Sequence, residues 1–244
     1  FGKSEYWHKT DDKGNCMSAP IMNPVVHPSA WLAEHLAAHA NEWTIRLPDN
    51  VLTEIQAEAA RIDCKSPEAP IHHVIDHRNL ETSTTFFTEI EKEVMLGRGF
   101  VLIQGLPPSL DDGQLRMCYW VIINLLGRPV SQNSYGDLMC EVKDTGRKLG
   151  ESRVRGYQTN EDLKFHTDRA AMVGLLCVQR AKAGGISRIS SAITVFNRLL
   201  RERPEMVNVL SHGLNYMSVE EGGDISVQRL SLIHISEPTR LRRI

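Results

Sequence analysis

The chain has 244 residues, of which 41% are hydrophobic and 24% are charged, with a formal net charge of −2 and a pI near 6.6. This length suits one large domain or two small ones. The near-neutral charge provides no strong field to attract nucleic-acid phosphates or anionic lipids, so a small molecule is the favoured partner and nucleic acid is not. No apolar run approaches the roughly 20 residues of a spanning helix, so no membrane segment is predicted.

Cysteine usage points to a reducing environment. The five cysteines are scattered, odd in number and never spaced as Cys-x-x-Cys; they are Cys16, Cys64, Cys118, Cys140 and Cys177. This pattern argues against a disulfide framework and against a zinc cluster. We therefore expect a cytoplasmic protein whose cysteines are small buried hydrophobes. Because the chain begins with Phe1 and no presequence pattern follows, we also expect the natural N-terminus to lie upstream.

The first part of the chain predicts a leader followed by three helices. Residues 1–27 mix Lys, Asp, Gly, Asn and Pro without periodicity, which is typical of a flexible leader. Apolar residues then recur with helical spacing over residues 31–36, where Leu32 belongs to the apolar face. The same spacing recurs over residues 50–62 and 85–96. We expect these three segments to be amphipathic helices.

The middle of the chain predicts both strands and helices. Residues 99–105 form a glycine-bounded apolar run with β-branched members, which predicts a buried strand. Residues 112–126 have helical spacing and end at Gly127. A helix is also predicted over residues 193–201, and short strands over 138–142, 171–178 and 187–190. Helices first and strands later indicate an α+β fold.

The most informative pair is His166 and Asp168, within the segment Phe165-His166-Thr167-Asp168. On an extended strand, residues two apart point to the same face, so an imidazole nitrogen and a carboxylate oxygen can meet at one cation. Two histidines and one carboxylate form the facial triad of non-haem Fe(II) oxygenases. His-x-Asp is a weak signal alone, since it is more often a surface or capping pair.

Further motifs surround this pair in a fixed order. Upstream lie the strand 99–105 with Leu106-Pro107, then Leu126-Gly127-Arg128-Pro129; downstream lies Gly184-Gly185-Ile186-Ser187. As a set, they resemble the taurine dioxygenase-like (TauD/TfdA) family of Fe(II)- and 2-oxoglutarate-dependent dioxygenases. The resemblance covers most of residues 28–229.

The resemblance implies a fold, a reaction and roles for particular residues. The implied fold has a double-stranded β-helix (jelly-roll) core with flanking helices. His166 and Asp168 would be catalytic iron ligands, and the Ser187 hydroxyl would contact a carboxylate of 2-oxoglutarate. The implied reaction uses O2 to hydroxylate a small organic molecule and converts 2-oxoglutarate to succinate and CO2. Serine at position 187 replaces the commoner threonine, which keeps the donor and removes a methyl contact.

Other polar residues near these motifs have two interpretations. Asn133, Tyr157, Gln158 and Asn160 are candidates to line the substrate pocket, but they are equally plausible turn formers. The group His72, His73 and His77 is irregularly spaced, which argues against a second metal site. Neither the substrate nor the oligomeric state follows from the sequence.

The last residues do not read as natural protein. Residues 230–240, Leu-Ser-Leu-Ile-His-Ile-Ser-Glu-Pro-Thr-Arg, are what a widely used transposase sequencing adapter encodes. We therefore interpret residues 230–244 as a translated adapter and exclude His234 as a ligand. The catalytic domain would then be residues 28–229, truncated before the last core strands, the distal iron histidine and the 2-oxoglutarate arginine. On this hypothesis the chain is an inactive fragment.

Two alternatives to the dioxygenase hypothesis remain open. A cupin-like metal-binding module would use the same ligands without 2-oxoglutarate. A non-enzymatic interaction domain would not bind a metal through His166 and Asp168.

Overall fold

The computed structural model describes residues 23–62, 73–133, 136–148, 150, 154, 156–168, 170–211, 214–219 and 225–230, the last two ranges as backbone only. The chain divides into two compact units. We call residues 33–165 with 172–188 the helical unit, and residues 1–32 with 166–171 and 189–244 the terminal unit. The predicted leader lies mostly outside the described residues.

The helical unit contains four helices and two short strands among its described residues. In chain order these are α1 (Ala33–Ala38), β1 (Thr44–Arg46), α2 (Asp49–Ala59), α3 (Glu81–Leu96), β2 (Leu102–Gln104) and α4 (Asp112–Leu126), with 3-10 turns at Ala40–Glu42, His77–Asn79 and Gly156–Gln158. The helices predicted over residues 50–62, 85–96 and 112–126 are thereby confirmed. The helix predicted over 31–36 begins only at Ala33, so the prediction for Leu32 was wrong, and that side chain is exposed.

The core of this unit lies between α2, α3 and α4. Its fully buried side chains include Val51 and Ile55 of α2, Phe87 of α3 and Val121 of α4. Each helix therefore buries its apolar stripe against the other two. Burial of this kind contributes roughly 1.5–3 kcal/mol for each large apolar side chain.

The N-terminus of α3 is capped by a residue from another helix. The Glu54 carboxylate of α2 accepts hydrogen bonds from the backbone N–H of Thr82 (3.2 Å) and of Ser83 (2.7 Å). These N–H groups have no partner within their own helix. Because the cap is 28 residues away in sequence, local spacing predicted the start of α3 four residues too late.

The strand predicted over residues 99–105 is shorter and less buried than expected. It forms only β2, which pairs in parallel with β1 in the register Thr44↔Leu102 and Arg46↔Gln104. Ile103 packs against the core, whereas Leu102 is 44% exposed. The prediction of a buried strand was wrong because β2 has one neighbour and one covered face in the described sheet.

The strands predicted over 138–142, 171–178 and 187–190 were wrong. The backbone there is irregular, and no described residue between 136 and 190 is buried. Large apolar side chains such as Leu175 and Ile186 are exposed. Alternating apolar residues form a strand only when a neighbouring strand supplies hydrogen bonds, and the described residues contain none here. The α+β mixture is therefore observed, but the jelly-roll core is not confirmed.

The terminal unit contains α5 (Ala192–Glu202), α6 (Pro204–Ser211) and the antiparallel pair β3 (Leu214–Val219) and β4 (Ile225–Leu230). The helix predicted over 193–201 is confirmed as α5, which begins at Ala192 after its cap residue Ser191. Helix α6 was not predicted, although proline is well suited to a first helical position. Residues 23–31 bind to α5, because the Asn197 amide bonds both the N–H and the carbonyl of Val25 (2.8 Å each).

None of the described helices is both long and apolar enough to cross a lipid bilayer.

Candidate functional site

His166 and Asp168 lie together in the terminal unit, on irregular backbone and not on the predicted strand. Their side chains nevertheless point the same way, with His166 Nε2 3.8 Å from Asp168 Oδ1. Both are about half exposed, at 54% and 55%. The pair is thus accessible from solvent, and its role as a pair of metal ligands stays a prediction.

The distance between the two atoms is compatible with one shared metal ion. Bonds from a first-row ion to histidine nitrogen and carboxylate oxygen are about 2.0–2.2 Å, so neighbouring ligand atoms about 90° apart lie roughly 3.0 Å from each other, and only opposite ligands reach about 4.2 Å. The separation of 3.8 Å lies between these values, so the two exposed side chains would have to turn towards each other to take neighbouring positions on one ion. No cluster of three or more His, Cys, Asp or Glu suited to a metal occurs among the described residues. His166 and Asp168 would therefore supply two ligands of a set that the described residues do not complete.

The Gly-Gly turn that precedes Ser187 has a conformation that glycine alone adopts readily. Gly184 and Gly185 have φ angles of 74° and 67°, both left-handed. A Cβ atom on Gly185 would also lie 2.9 Å from the Cβ of Ala181. Both glycines are therefore needed for the turn. Ser187 follows in the helical unit with its side chain exposed.

The apolar segment after Asp168 approaches α4 in the helical unit. A Cβ atom on Gly174 would lie 2.6 Å from the Tyr119 hydroxyl oxygen and 3.8 Å from a methyl carbon of Ile123. Burial raises the pKa of Tyr119 above its usual value of 10.0. The small residue at position 174 thus permits close contact between this segment and α4.

Two of the four candidate pocket residues take part in turns. The Asn133 amide donates to Asp137 Oδ2 (2.7 Å), and its oxygen accepts from the Asp137 N–H (3.2 Å). The Gln158 carbonyl accepts from both the N–H and the hydroxyl of Thr145. These bonds support the turn-former interpretation for Asn133 and for the backbone of Gln158.

The remaining two candidates differ in their surroundings. Tyr157 lies in the 3-10 turn Gly156–Gln158 and is partly buried, whereas Asn160 is exposed just after it. A role in substrate binding stays a prediction for all four candidates.

A buried acidic cluster was missed by sequence reasoning. Glu58 lies on the buried face of α2, where its carboxylate accepts from His73 Nε2 (3.1 Å), the Asp76 N–H (2.9 Å) and Arg61 (3.3 Å). The Trp120 indole N–H bonds the His73 carbonyl at 3.0 Å. A glutamate at an apolar helical position was the signal that could have revealed this cluster. The hydrogen bond to Glu58 gives His73 a structural role, whereas His72 lies outside the described residues.

Burial and the neighbouring groups of Glu58 shift its pKa in opposite directions. Burial alone would raise its pKa, but the Asp76 N–H, the His73 hydrogen bond and the His73 and Arg61 charges lower it below 4.5. The carboxylate is therefore held in its ionised form.

The described cysteines are free thiols in different surroundings. Cys118 is buried as expected, and burial raises its pKa to about 11. The expectation was wrong for Cys140 and Cys177, which are exposed. Cys16 and Cys64 lie outside the described residues.

Comparison with known proteins identifies relatives of the chain. Residues 70–242 match the family described as "Taurine catabolism dioxygenase TauD, TfdA family". The chain is 29% identical over 210 residues to FR-33289 synthase of Streptomyces rubellomurinus (strain ATCC 31215), covering 84% of the chain and 61% of that protein. It is 27% identical over 123 residues to the taurine hydroxylase-like protein SAT17 of Stachybotrys chartarum (strain CBS 109288 / IBT 7711), covering 46% of the chain and 31% of the relative.

The lengths of these matches can be compared with the lengths of the relatives and with the predicted boundary at residue 230. The chain spans less than two thirds of the length of either curated relative. The family match extends to residue 242 and so includes part of residues 230–244. The adapter interpretation of that segment stays a prediction.

Proposed function

Because the chain belongs to the TauD/TfdA dioxygenase family, we propose that the whole protein is an Fe(II)- and 2-oxoglutarate-dependent dioxygenase that hydroxylates a small organic molecule. The observation that carries this proposal is the approach of His166 Nε2 to Asp168 Oδ1 within 3.8 Å, inside the matched region. We also propose the jelly-roll core of the family and a reducing cytoplasmic location.

Each candidate residue has a defined part in the proposed reaction. His166 Nε2 and the Asp168 carboxylate hold the iron, and their exposure leaves room for a third protein ligand and for substrate. When bound, Fe(II) supplies O2 activation, coupled to conversion of 2-oxoglutarate to succinate and CO2. The Ser187 hydroxyl donates to a 2-oxoglutarate carboxylate, which needs a partner once it leaves water. Tyr157, Asn133, Gln158 and Asn160 are proposed to line the substrate pocket.

The proposed activity belongs to the whole protein and not to the present chain alone. Among the described residues no third ligand joins His166 and Asp168. We propose that the distal histidine and the 2-oxoglutarate arginine are absent from this chain, that residues 230–244 are adapter-encoded, and that the chain alone is inactive.

The decisive experiment uses the full-length protein, purified without oxygen and loaded with Fe(II). Succinate formation from 2-oxoglutarate is measured for the wild type, His166→Ala and Asp168→Ala. His77→Ala and Asp162→Ala are the matched controls, because both side chains are exposed and neither belongs to the proposed site. We expect the wild type and both controls to form succinate, and both ligand variants to lose it.

Ser187 is tested by its effect on 2-oxoglutarate affinity. A hydrogen bond to a charged group contributes about 1.5–3 kcal/mol, so Ser187→Ala should raise the KM for 2-oxoglutarate roughly 10- to 100-fold. Ser187→Thr keeps the hydroxyl and should retain the affinity. Iron binding without 2-oxoglutarate consumption would favour the cupin-like alternative, whereas absence of metal binding would favour the interaction domain.

A further inference from the structure

The exposed His35 and the partly buried His39 form a pair at the end of α1 in the helical unit. His35 lies within α1 and His39 follows one residue after its end. Their rings stack with centroids 4.3 Å apart and an interplanar angle of 23°. His39 lies outside the helix, and it is the ring stacking that places the two imidazoles side by side.

The hydrogen bond of His39 determines which of its nitrogens is free. His39 Nδ1 lies 2.8 Å from the His35 carbonyl oxygen. Because a carbonyl oxygen only accepts, Nδ1 must carry the hydrogen, and the neutral ring then has its lone pair on Nε2. Metal-bound histidines in proteins commonly have this arrangement, with the second ring N–H donating to a backbone carbonyl.

The His35 ring has the freedom that a second ligand needs. It is exposed, and within the part of the chain that the structure describes no hydrogen bond holds its imidazole. Turning the ring about its side-chain bonds towards His39 Nε2 would break the stacking but no hydrogen bond of the ring within the described residues. Imidazole nitrogens are favoured ligands for Zn²⁺, Ni²⁺ and Cu²⁺.

We propose that His35 and His39 form a two-histidine surface site for a divalent first-row transition ion, with water completing the coordination. Among the described residues no third His, Cys, Asp or Glu joins them, so the proposed site has these two histidines as its protein ligands. Affinity should rise from Fe²⁺ through Ni²⁺ to Cu²⁺, following the general order for nitrogen ligands. His35 and His39 belong to the helical unit, and the proposed iron ligands belong to the terminal unit.

The site is tested by Cu²⁺ binding to the full-length protein without iron. Equilibrium dialysis counts bound Cu²⁺, and electron paramagnetic resonance reports its nitrogen ligands. We expect His35→Ala and His39→Ala each to remove one equivalent of Cu²⁺ or to weaken its binding at least about tenfold. His77→Ala is the matched control, since it removes another exposed histidine of the same unit.

A second variant and a second measurement separate binding from folding. His39→Gln keeps a side-chain N–H donor for the His35 carbonyl but removes the imidazole, so it should retain the thermal stability and still lose the Cu²⁺. In the wild type, Zn²⁺ should protect His35 and His39, but not His77, from carbethoxylation by diethylpyrocarbonate. Unchanged Cu²⁺ stoichiometry and affinity in both alanine variants, or equal modification with and without Zn²⁺, would overturn the proposal. Succinate formation is not used, so failure here leaves the proposed dioxygenase function untouched.

Discussion

Residues 44–126 contain a buried core, whereas the described part of residues 136–190 does not. The first region buries the apolar faces of α2, α3 and α4 against one another, whereas no described residue of the second is buried. Helices satisfy their backbone hydrogen bonds internally, so each needs only an apolar neighbour. Strands need a second strand for every N–H and C=O group. Apolar content alone therefore does not create a core, and the region with the candidate ligands depends on non-local partners.

Truncation of one phenylalanine in each region should give the largest contrast. Phe87 is fully buried between the helices, whereas Phe165 is 70% exposed beside His166. Phe87→Ala leaves a cavity and should lower the free energy of unfolding by about 3–5 kcal/mol. Phe165→Ala should change it by less than about 0.5 kcal/mol. Denaturant unfolding followed by circular dichroism measures both, and similar losses would break the comparison.

The buried Glu58 cluster should give an intermediate, pH-dependent effect. Glu58→Ala leaves the Asp76 N–H and the His73 ring without their acceptor, which should cost about 2–3 kcal/mol near pH 7. Because the pKa of Glu58 is lowered from 4.5 in the folded chain, its ionisation stabilises the fold fully above that pH. This part of the stabilisation is lost as the pH falls through the folded-state pKa.

The measurement is the unfolding free energy of wild type and variant across the acid range. The difference in unfolding free energy between wild type and Glu58→Ala should become smaller below about pH 4.5. Glu89→Ala serves as the control, since its exposed pair with Lys92 should contribute less than about 1 kcal/mol. A constant difference down to pH 3 would show that the carboxylate charge does not stabilise the cluster.

The contact between Gly174 and Tyr119 should give the smallest effect, and it tests whether residues 172–188 hold a fixed position on α4. Gly174→Ala places a methyl group against the Tyr119 hydroxyl and should destabilise the chain by about 1 kcal/mol. Tyr119→Phe removes that oxygen, so the double variant should recover most of the loss. Thermal melts of the four proteins form a double-mutant cycle. Additive effects would mean that the segment does not rest on α4.

Local chemistry determined how much of the fold was predictable. Helices α2 and α4 followed from apolar spacing, and α4 also has the capping box formed by Asp111 and Gln114. The start of α3 did not follow, because its cap comes from Glu54 on another helix. The strands expected after residue 136 failed for the same reason, since a partner strand leaves no mark in the strand's own sequence.

The candidate site likewise has some features that depend on local sequence and others that depend on tertiary contacts. His166 and Asp168 were expected to approach each other on a strand; they lie 3.8 Å apart on irregular backbone, and their role as ligands stays a prediction. The Gly184-Gly185 turn was visible because left-handed backbone requires glycine. The Glu58 cluster was hidden, since His73 and Asp76 reach α2 only through tertiary contact. Specificity for a substrate also depends on tertiary contacts.

The parallel pairing of β1 with β2 has a consequence for the order of folding. Thr44 and Leu102 meet only after a loop of roughly 60 residues has closed, at an entropic cost on the order of 3–4 kcal/mol. Three paired residues cannot offset that cost alone. Helices α2 and α3 lie within the loop and shorten it when they dock. We therefore expect the strand pair to form late, after the helical layer has brought its two ends together.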